Sequence, residues 1–270
     1  MDIVESYSAR NLTKTEDRFL ALSGVAARYQ ARKPQDLYMA GLWYDNIAQG
    51  LAWTVQSAVQ RHPDRPKMHE CPSWSWASLP IPTPVRMSRN TTGSQRSRFE
   101  VLHTDKDLAP GGEDAVVSVS RGSQIKSLTI RGRIRPLCSS SSRVVSWSSV
   151  TVRTAITPSY SQGQTDTFTF HDWLDQEVHS INGDTGTIVA YQPRMKELVA
   201  QLDYLDSVEG IQMNPSVVTC LEISDRAMLL LMPASNPQNE EIPQFTRMGV
   251  SMDFREDFFS GLKETVIRLQ

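Results

Sequence analysis

Leu128-Thr129-Ile130-Arg131-Gly132-Arg133-Ile134 is the stretch that decides the fold. Apolar residues at 128, 130 and 134 alternate with Thr and Arg, so one face is buried and the other meets water. That period of two belongs to a strand. Pro136 and the Ser139–Ser142 run end it. Working outward, the same β character returns at 99–102, 116–119, 144–147, 150–156, 167–170 and 187–191. It continues at 217–223, 227–232, 245–250 and 265–269, with Ser224-Asp225-Arg226 as a hairpin turn. Residues 193–202 have a helical composition that also suits a strand, and 257–263 suit a helical turn. Many short strands predict an antiparallel barrel or sandwich.

The N-terminal part reads differently. Residues 15–30 predict a helix: Thr15 caps, Glu16 and Asp17 suit its positive end, and Phe19, Leu22, Val25, Ala26 and Tyr29 form one face. Lys33-Pro34 ends it, because a residue before proline is pushed out of the helical region. Asp36 opens a second helical pattern through Leu37–Trp43. Asp45 opens a third, with Ile47, Leu51 and Val55 in one stripe. The expectation is therefore α+β, a single domain over 1–270. Residues 1–60 are the helical part, 61–98 a Pro/Ser/Arg-rich connection, and 99–270 the mainly β part. The helices pack on the sheet.

Composition narrows the function classes. The chain has 270 residues and a net charge of −2, so no global basic field exists to hold nucleic acid or an anionic membrane. No run approaches the roughly 18 apolar residues of a membrane span. Met1–Arg10 lacks the basic and apolar regions of a signal peptide. Three distant cysteines, Cys71, Cys138 and Cys220, read as reduced thiols, and the expected location is cytoplasmic. The sequons at Asn11 and Asn90 are then idle.

Motifs for cofactors are missing. No P-loop, dinucleotide fingerprint, nucleophile elbow, H-E-x-x-H or C-x-x-C occurs. His62, Asp64, His69, Glu70 and Cys71 resemble a metal cluster only in composition, so no metal is assigned. His171, Asp172, Asp175, Glu177 and His179 concentrate titratable groups, which serve either acid–base chemistry or a polar turn. Asp203 and Asp206 form a carboxylate pair of the common surface kind. Arg131, Arg133 and Arg135 share a strand face, either to hold an anion or to meet acidic partners.

Six tryptophans are the unusual count. Trp43, Trp53, Trp74 and Trp76 crowd into 34 residues. In Pro72-Ser73-Trp74-Ser75-Trp76-Ala77-Ser78, a strand would point both rings to one face. They either pack a core or wall an apolar pocket. Trp147 and Trp173 stand apart.

Asp17–Ala26, Tyr38–Trp43 and Pro72–Ser78 together resemble the region that follows the heterokaryon-incompatibility (HET) domain of fungal proteins. The Leu128–Leu137 strand and Phe245-Thr246-Arg247-Met248-Gly249-Val250 agree with it, so the resemblance spans roughly 17–269. The signature motifs of the HET domain itself do not occur here. The resemblance therefore implies a companion region without the cell-death signalling activity. For such a region the expected role is a cofactor-independent cyclase or pericyclase of fungal specialised metabolism, closing a hydrophobic polyene or terpenoid by orientation. Trp43, Trp53, Trp74, Trp76, Trp147 and Trp173 would bind that substrate, and Tyr44, Asp45 and His171 would polarise it. The alternative is a non-catalytic interaction module. The oligomeric state is left open.

Overall fold

The computed structural model describes residues 2–11, 17–55, 71–80, 82–88, 97–105, 114–136, 203, 218–234, 241–252, 254 and 258–270. For residue 2, and for 167–171, 178–182, 187–191 and 198–202, it describes the backbone alone.

Helices α1 (Asp2–Ser8) and α2 (Arg18–Gln30) open the chain. In α2 the backbone carbonyl of Asp17 accepts the first helical bond, from Ala21 N–H at 2.8 Å, and Leu22, Ala26 and Ala27 are buried. A two-strand hairpin follows, β1 (Tyr38–Met39) and β2 (Leu42–Trp43), where the sequence pattern predicts a second helix. Its two central residues, Ala40 and Gly41, have φ of +43° and +92°. Positive φ at both positions is what a tight hairpin turn requires, and it ends any helix. Ala lacks the usual Asn-Gly signature, so tertiary bonds hold the turn. Ala40 N–H donates to Gly122 O at 2.9 Å and Ser75 Oγ to Ala40 O at 2.6 Å.

A 3-10 turn (Tyr44–Asn46) leads into α3 (Ile47–Leu51), and β3 (Thr54–Val55) pairs antiparallel with β4 (Val85–Arg86). The third predicted helix is thus real but short. A second 3-10 turn, Trp76–Ser78, forms in the double-tryptophan run, so the two rings are not set by strand alternation. Ser75 caps the turn, its Oγ accepting from Ala77 N–H at 3.1 Å.

Next come β5 (Phe99–Thr104) and α4 (Ala115–Gly122). The Val116–Val119 segment is helical, not the expected strand. Asp114 caps it through Val116 N–H at 2.9 Å, and Val119 packs with Ala26, Ala27 and Tyr38. That packing outweighs the weak β preference of valine. Gly122 belongs here because a Cβ would lie 1.9 Å from Tyr38 O.

The β part holds β6 (Leu128–Pro136), β7 (Thr167–His171), β8 (Val178–Asn182), β9 (Thr187–Tyr191) and β10 (Leu198–Leu202). It ends with β11 (Thr219–Ser224), β12 (Ala227–Pro233), β13 (Gln244–Ser251) and β14 (Glu264–Leu269). Strands β6, β11, β12, β13 and β14 pair in that order and β14 returns to β6, which closes a five-stranded barrel. An odd ring cannot be antiparallel throughout. The one parallel pair is β13 with β14, reached by the crossover at 252–263. The β11–β12 hairpin turns at Asp225-Arg226, as expected from the sequence. Strand β5 adds to β6, and β10, β9, β8 and β7 extend the sheet from β13. The segment 193–202, ambiguous in sequence, contributes strand β10. The fold is α+β, with helices at the N-terminus and a barrel behind them.

Each barrel strand sends residues into one shared core: Leu128 and Ile130, Leu221 and Ile223, Leu229 and Leu231, Phe245 and Val250, Ile267 and Leu269. That core is continuous with Trp53, Trp74, Trp76, Met39 and Leu51 of the N-terminal layer.

Candidate functional site

The tryptophans separate into two kinds. Trp53 and Trp74 are fully buried and Trp76 is 1% exposed. Trp53 Nε1 donates to Trp74 O at 3.0 Å, and Trp76 Nε1 to Gly41 O at 3.1 Å. The Trp76 ring meets Tyr7 and Phe19 edge to face. The indole N–H of Trp74 has no partner among the described residues. These three rings pack the core. Trp43 differs: it is half-buried, with Tyr29 at 4.3 Å and Tyr38 at 5.0 Å between ring centroids.

Two buried arginines lock this layer together. Arg247, on β13, places its guanidinium carbon 3.4 Å from the centroid of the Trp53 ring. Its Nε donates to Asp203 Oδ2 at 2.8 Å and its Nη2 to Trp53 O at 2.6 Å, while Nη1 reaches Leu51 O. Burial pushes this guanidinium below its ordinary value and Asp203 holds it up. Asp203, read from the sequence as half of a surface pair, is thus a buried counter-ion 44 positions away along the chain. Arg18, on α2, donates to Ala77 O and, at 2.7 Å, to Leu79 O, with its guanidinium 5.8 Å from the Trp76 ring.

The alternating arginines of β6 meet partners. Arg131 donates to Glu100 at 3.0 Å, Arg133 lies 2.6 Å from Glu222 Oε2, and Arg135 donates to Phe258 O at 2.9 Å while stacking on that ring. Burial raises the Glu222 carboxyl above its ordinary value, and Arg133 draws it back. A polar hollow of about 540 Å³ lies beside Arg98, Arg131, Arg133, Glu100 and Glu264. Arg98 pairs with Asp225 as well, so these three cations are already matched.

The stronger candidate is an apolar cleft of about 310 Å³ on the helical side. Ile3 and Val4 of α1 form one wall. Leu22, Val25, Ala26 and Tyr29 of α2, spaced by three and four residues, form the second. Tyr38, Leu42 and Trp43 of the hairpin form the third, with Met87 and Gly50 at one side. Beyond the two tyrosine hydroxyls and the Trp43 indole N–H, the polar side chain of the lining is Asn46. Helix α1 is anchored for this role: Met87 N–H donates to Glu5 Oε1 at 2.9 Å and Val85 N–H to Ser8 Oγ at 3.0 Å. The cleft is rimmed by partly exposed Ile3 and Val25.

Polar groups gather just past Trp43. Tyr44 and Asp45 stand in the 3-10 turn, both exposed, and neither lines the cleft. Asp45 N–H donates to Asp36 Oδ1 at 2.9 Å. Asp36 is buried; desolvation raises its carboxyl and the Asp45 N–H bond lowers it, the net shift being upward. Its backbone carbonyl accepts from Gln30 Nε2 at 2.6 Å, which fixes the loop after α2. Lys33 Nζ lies 3.5 Å from Asp45 Oδ2 and 5.6 Å from the Tyr29 ring centroid.

Of the expected site residues, Trp43 lines the cleft, Tyr44 and Asp45 beside it in the chain do not, and Trp53, Trp74 and Trp76 pack the core. His171 ends β7, the fourth strand out from β13 along the sheet, and its side chain lies outside the described atoms. Trp147, Trp173, Asp172, Asp175, Glu177, Asp206, Cys138 and the His62–Glu70 cluster also lie outside the described residues; His179 is described by backbone alone. Cys71 and Cys220 are in no disulfide. Among the described residues no helix is long and apolar enough to cross a membrane. The α1 and Met87 contributions to the cleft escaped the sequence reading. The α2 stripe was visible there, but as a core face; in the fold it serves both core and cleft. No protein-family model, curated protein or solved structure matches this chain.

Proposed function

We propose that this chain binds a hydrophobic small molecule in the cleft between α1, α2 and the β1–β2 hairpin. The observation that carries this reading is Trp43. Of the four N-terminal tryptophans it alone leaves the core and joins Tyr29 and Tyr38 in a wall of apolar side chains. The cleft volume stands at the lower end of small-molecule sites, roughly 300–1,000 Å³, and its lining suits a ligand with little polar surface.

Cofactor-independent cyclisation of a bound polyene or terpenoid is the catalytic form of this proposal. It is supported by the resemblance to the region after the HET domain and by the apolar lining of the cleft, which suits such a substrate. Holding a flexible chain in a reactive conformer is a strong source of rate by itself. The second reading, a non-catalytic interaction module, draws support from apolar Leu20, 70% exposed, and Ile3, Val25 and Tyr44, all partly exposed.

Titration with Nile red tests the binding reading. Saturable fluorescence is expected, lost in Val25→Arg and Trp43→Ala; equal binding by these variants rejects it. Incubation with linear polyene and terpenoid precursors, read by mass spectrometry and chromatography, tests the catalytic form. A new isomer that disappears in Trp43→Ala supports it, and unchanged precursor counts against it.

A further inference from the structure

We propose that the ligand of this cleft is an amphiphile with a carboxylate head, its apolar chain against Trp43 and its head at Lys33. This inference rests on the binding reading above and names the ligand's chemistry.

The argument starts from α2. Val25, Ala26 and Tyr29 line the cleft at helical spacing. The next members of that stripe are Arg32 and Lys33. The helical backbone carries on far enough to place them, since the N–H groups of both donate to Tyr29 O, at 2.9 and 3.1 Å. The cleft's apolar floor therefore runs out onto cationic side chains. Lys33 is half exposed, and its ammonium sits over Tyr29, a wall of the cleft. By Met87, another lining residue, the acidic group is Glu5, and its carboxylate is engaged by the Met87 N–H. Beside the cleft there is thus a cation at Tyr29 and a bonded carboxylate at Met87.

Asp45 shares Lys33, but does not remove it as a receptor. The pair is 3.5 Å apart with both side chains half exposed, the kind of surface pair that contributes least. An ammonium has three donors, so a ligand carboxylate can bind while Asp45 remains. Such a charge-assisted bond is short and directional. A ligand ammonium would instead meet the like charge of Lys33, with Asp45 already paired to it.

Calorimetric titration of the full chain with decanoate, decanol and decylammonium separates the possibilities. Decanoate is expected to bind about tenfold more tightly than decanol, which corresponds to one charge-assisted bond. Lys33→Gln is expected to erase that difference and leave decanol binding unchanged. Lys33 is exposed, so the variant folds, and far-ultraviolet circular dichroism checks this. Equal affinity for decanoate and decanol, tighter binding of decylammonium, or an unaltered preference in Lys33→Gln overturns the carboxylate proposal while sparing the cleft. Failure of all three probes to bind overturns both.

Discussion

In the barrel, β6, β11, β12, β13 and β14 satisfy one another's amides through paired ladders. In the layer in front of it, side chains do that work. Two-residue strands and short helices leave carbonyls with no ladder to join, and these lie in the core, where an unmet group is costly. Arg18 serves Ala77 and Leu79; Arg247 serves Leu51 and Trp53; Ser75 serves Ala40; Trp53 and Trp76 serve Trp74 and Gly41; Gln30 serves Asp36. The layer therefore depends on individual polar side chains, whereas the barrel depends on volume. The candidate cleft belongs to the layer, so its walls inherit that dependence.

The largest break should come at Arg247. Arg247→Met removes the cation that faces buried Asp203 and the donors to two buried carbonyls, and is expected to lower stability by about 3–5 kcal/mol, read from urea midpoints. Leu229→Ala, inside the barrel, removes apolar volume alone and should cost about 2–5 kcal/mol according to how far the cavity collapses. Replacing Arg247 by the conservative Lys should recover little, because a lysine cannot span Asp203 and two carbonyls in one plane; full recovery would contradict the contrast. Ser75→Ala deletes one hydroxyl and should still cost about 1–3 kcal/mol, since it exposes a buried carbonyl at Ala40 and uncaps the next turn.

Acidity sharpens the contrast further. The Asp36 carboxyl is raised in the folded chain, chiefly by burial. The folded state therefore holds its proton more tightly than the unfolded chain does. Its contribution is lost as pH rises from the ordinary aspartate value through the raised one, and no penalty exists below the ordinary value. Asp36→Asn keeps an acceptor for Asp45 N–H. Its Tm should exceed that of the parent chain above this window, and the two should converge below it. Glu222 is shifted the same way in the barrel, so Glu222→Gln should show the same sign there. The smallest effect is at Gly24, in α2 with open space around it. Gly24→Ala should raise stability by about 0.5–1 kcal/mol without touching the cleft.

What could be read from the sequence follows the same division. Strands β6, β11 and β12 and the turn at Asp225-Arg226 were legible, because alternation and turn residues are local signals. Helix α2 was legible from its stripe. The β1–β2 hairpin was not: Ala40 adopts positive φ only because Gly122 and Ser75 hold its backbone, 82 and 35 positions away. Helix α4 was hidden by three valines whose helical state is set by packing against α2 and Tyr38. For the site, Trp43 stood out in composition, but so did Trp53, Trp74 and Trp76. What distinguishes them is which ring the chain buries, and that is a tertiary fact. The Arg247–Asp203 pair carries no local signature at all.

The odd-numbered ring also sets an order of assembly. The seam closes only when residues 264–269 come to rest against 128–133. During synthesis β14 emerges last of the ring, so β6 waits with its 128–133 edge open, while β13 pairs with β10 at 249–251 and waits for β14 only at Gln244 and Phe245. Such edges invite pairing between nascent chains. The same end of the barrel is where Ser73 N–H meets Gln270 O at 2.9 Å and Ser73 Oγ accepts from Arg247 N–H at 2.9 Å. The loop carrying Trp74 and Trp76 is thus the latch that strand β14 engages. Chains halted before β14 should have neither the closed seam nor the latch, and should be strong clients for chaperones that hold open sheets.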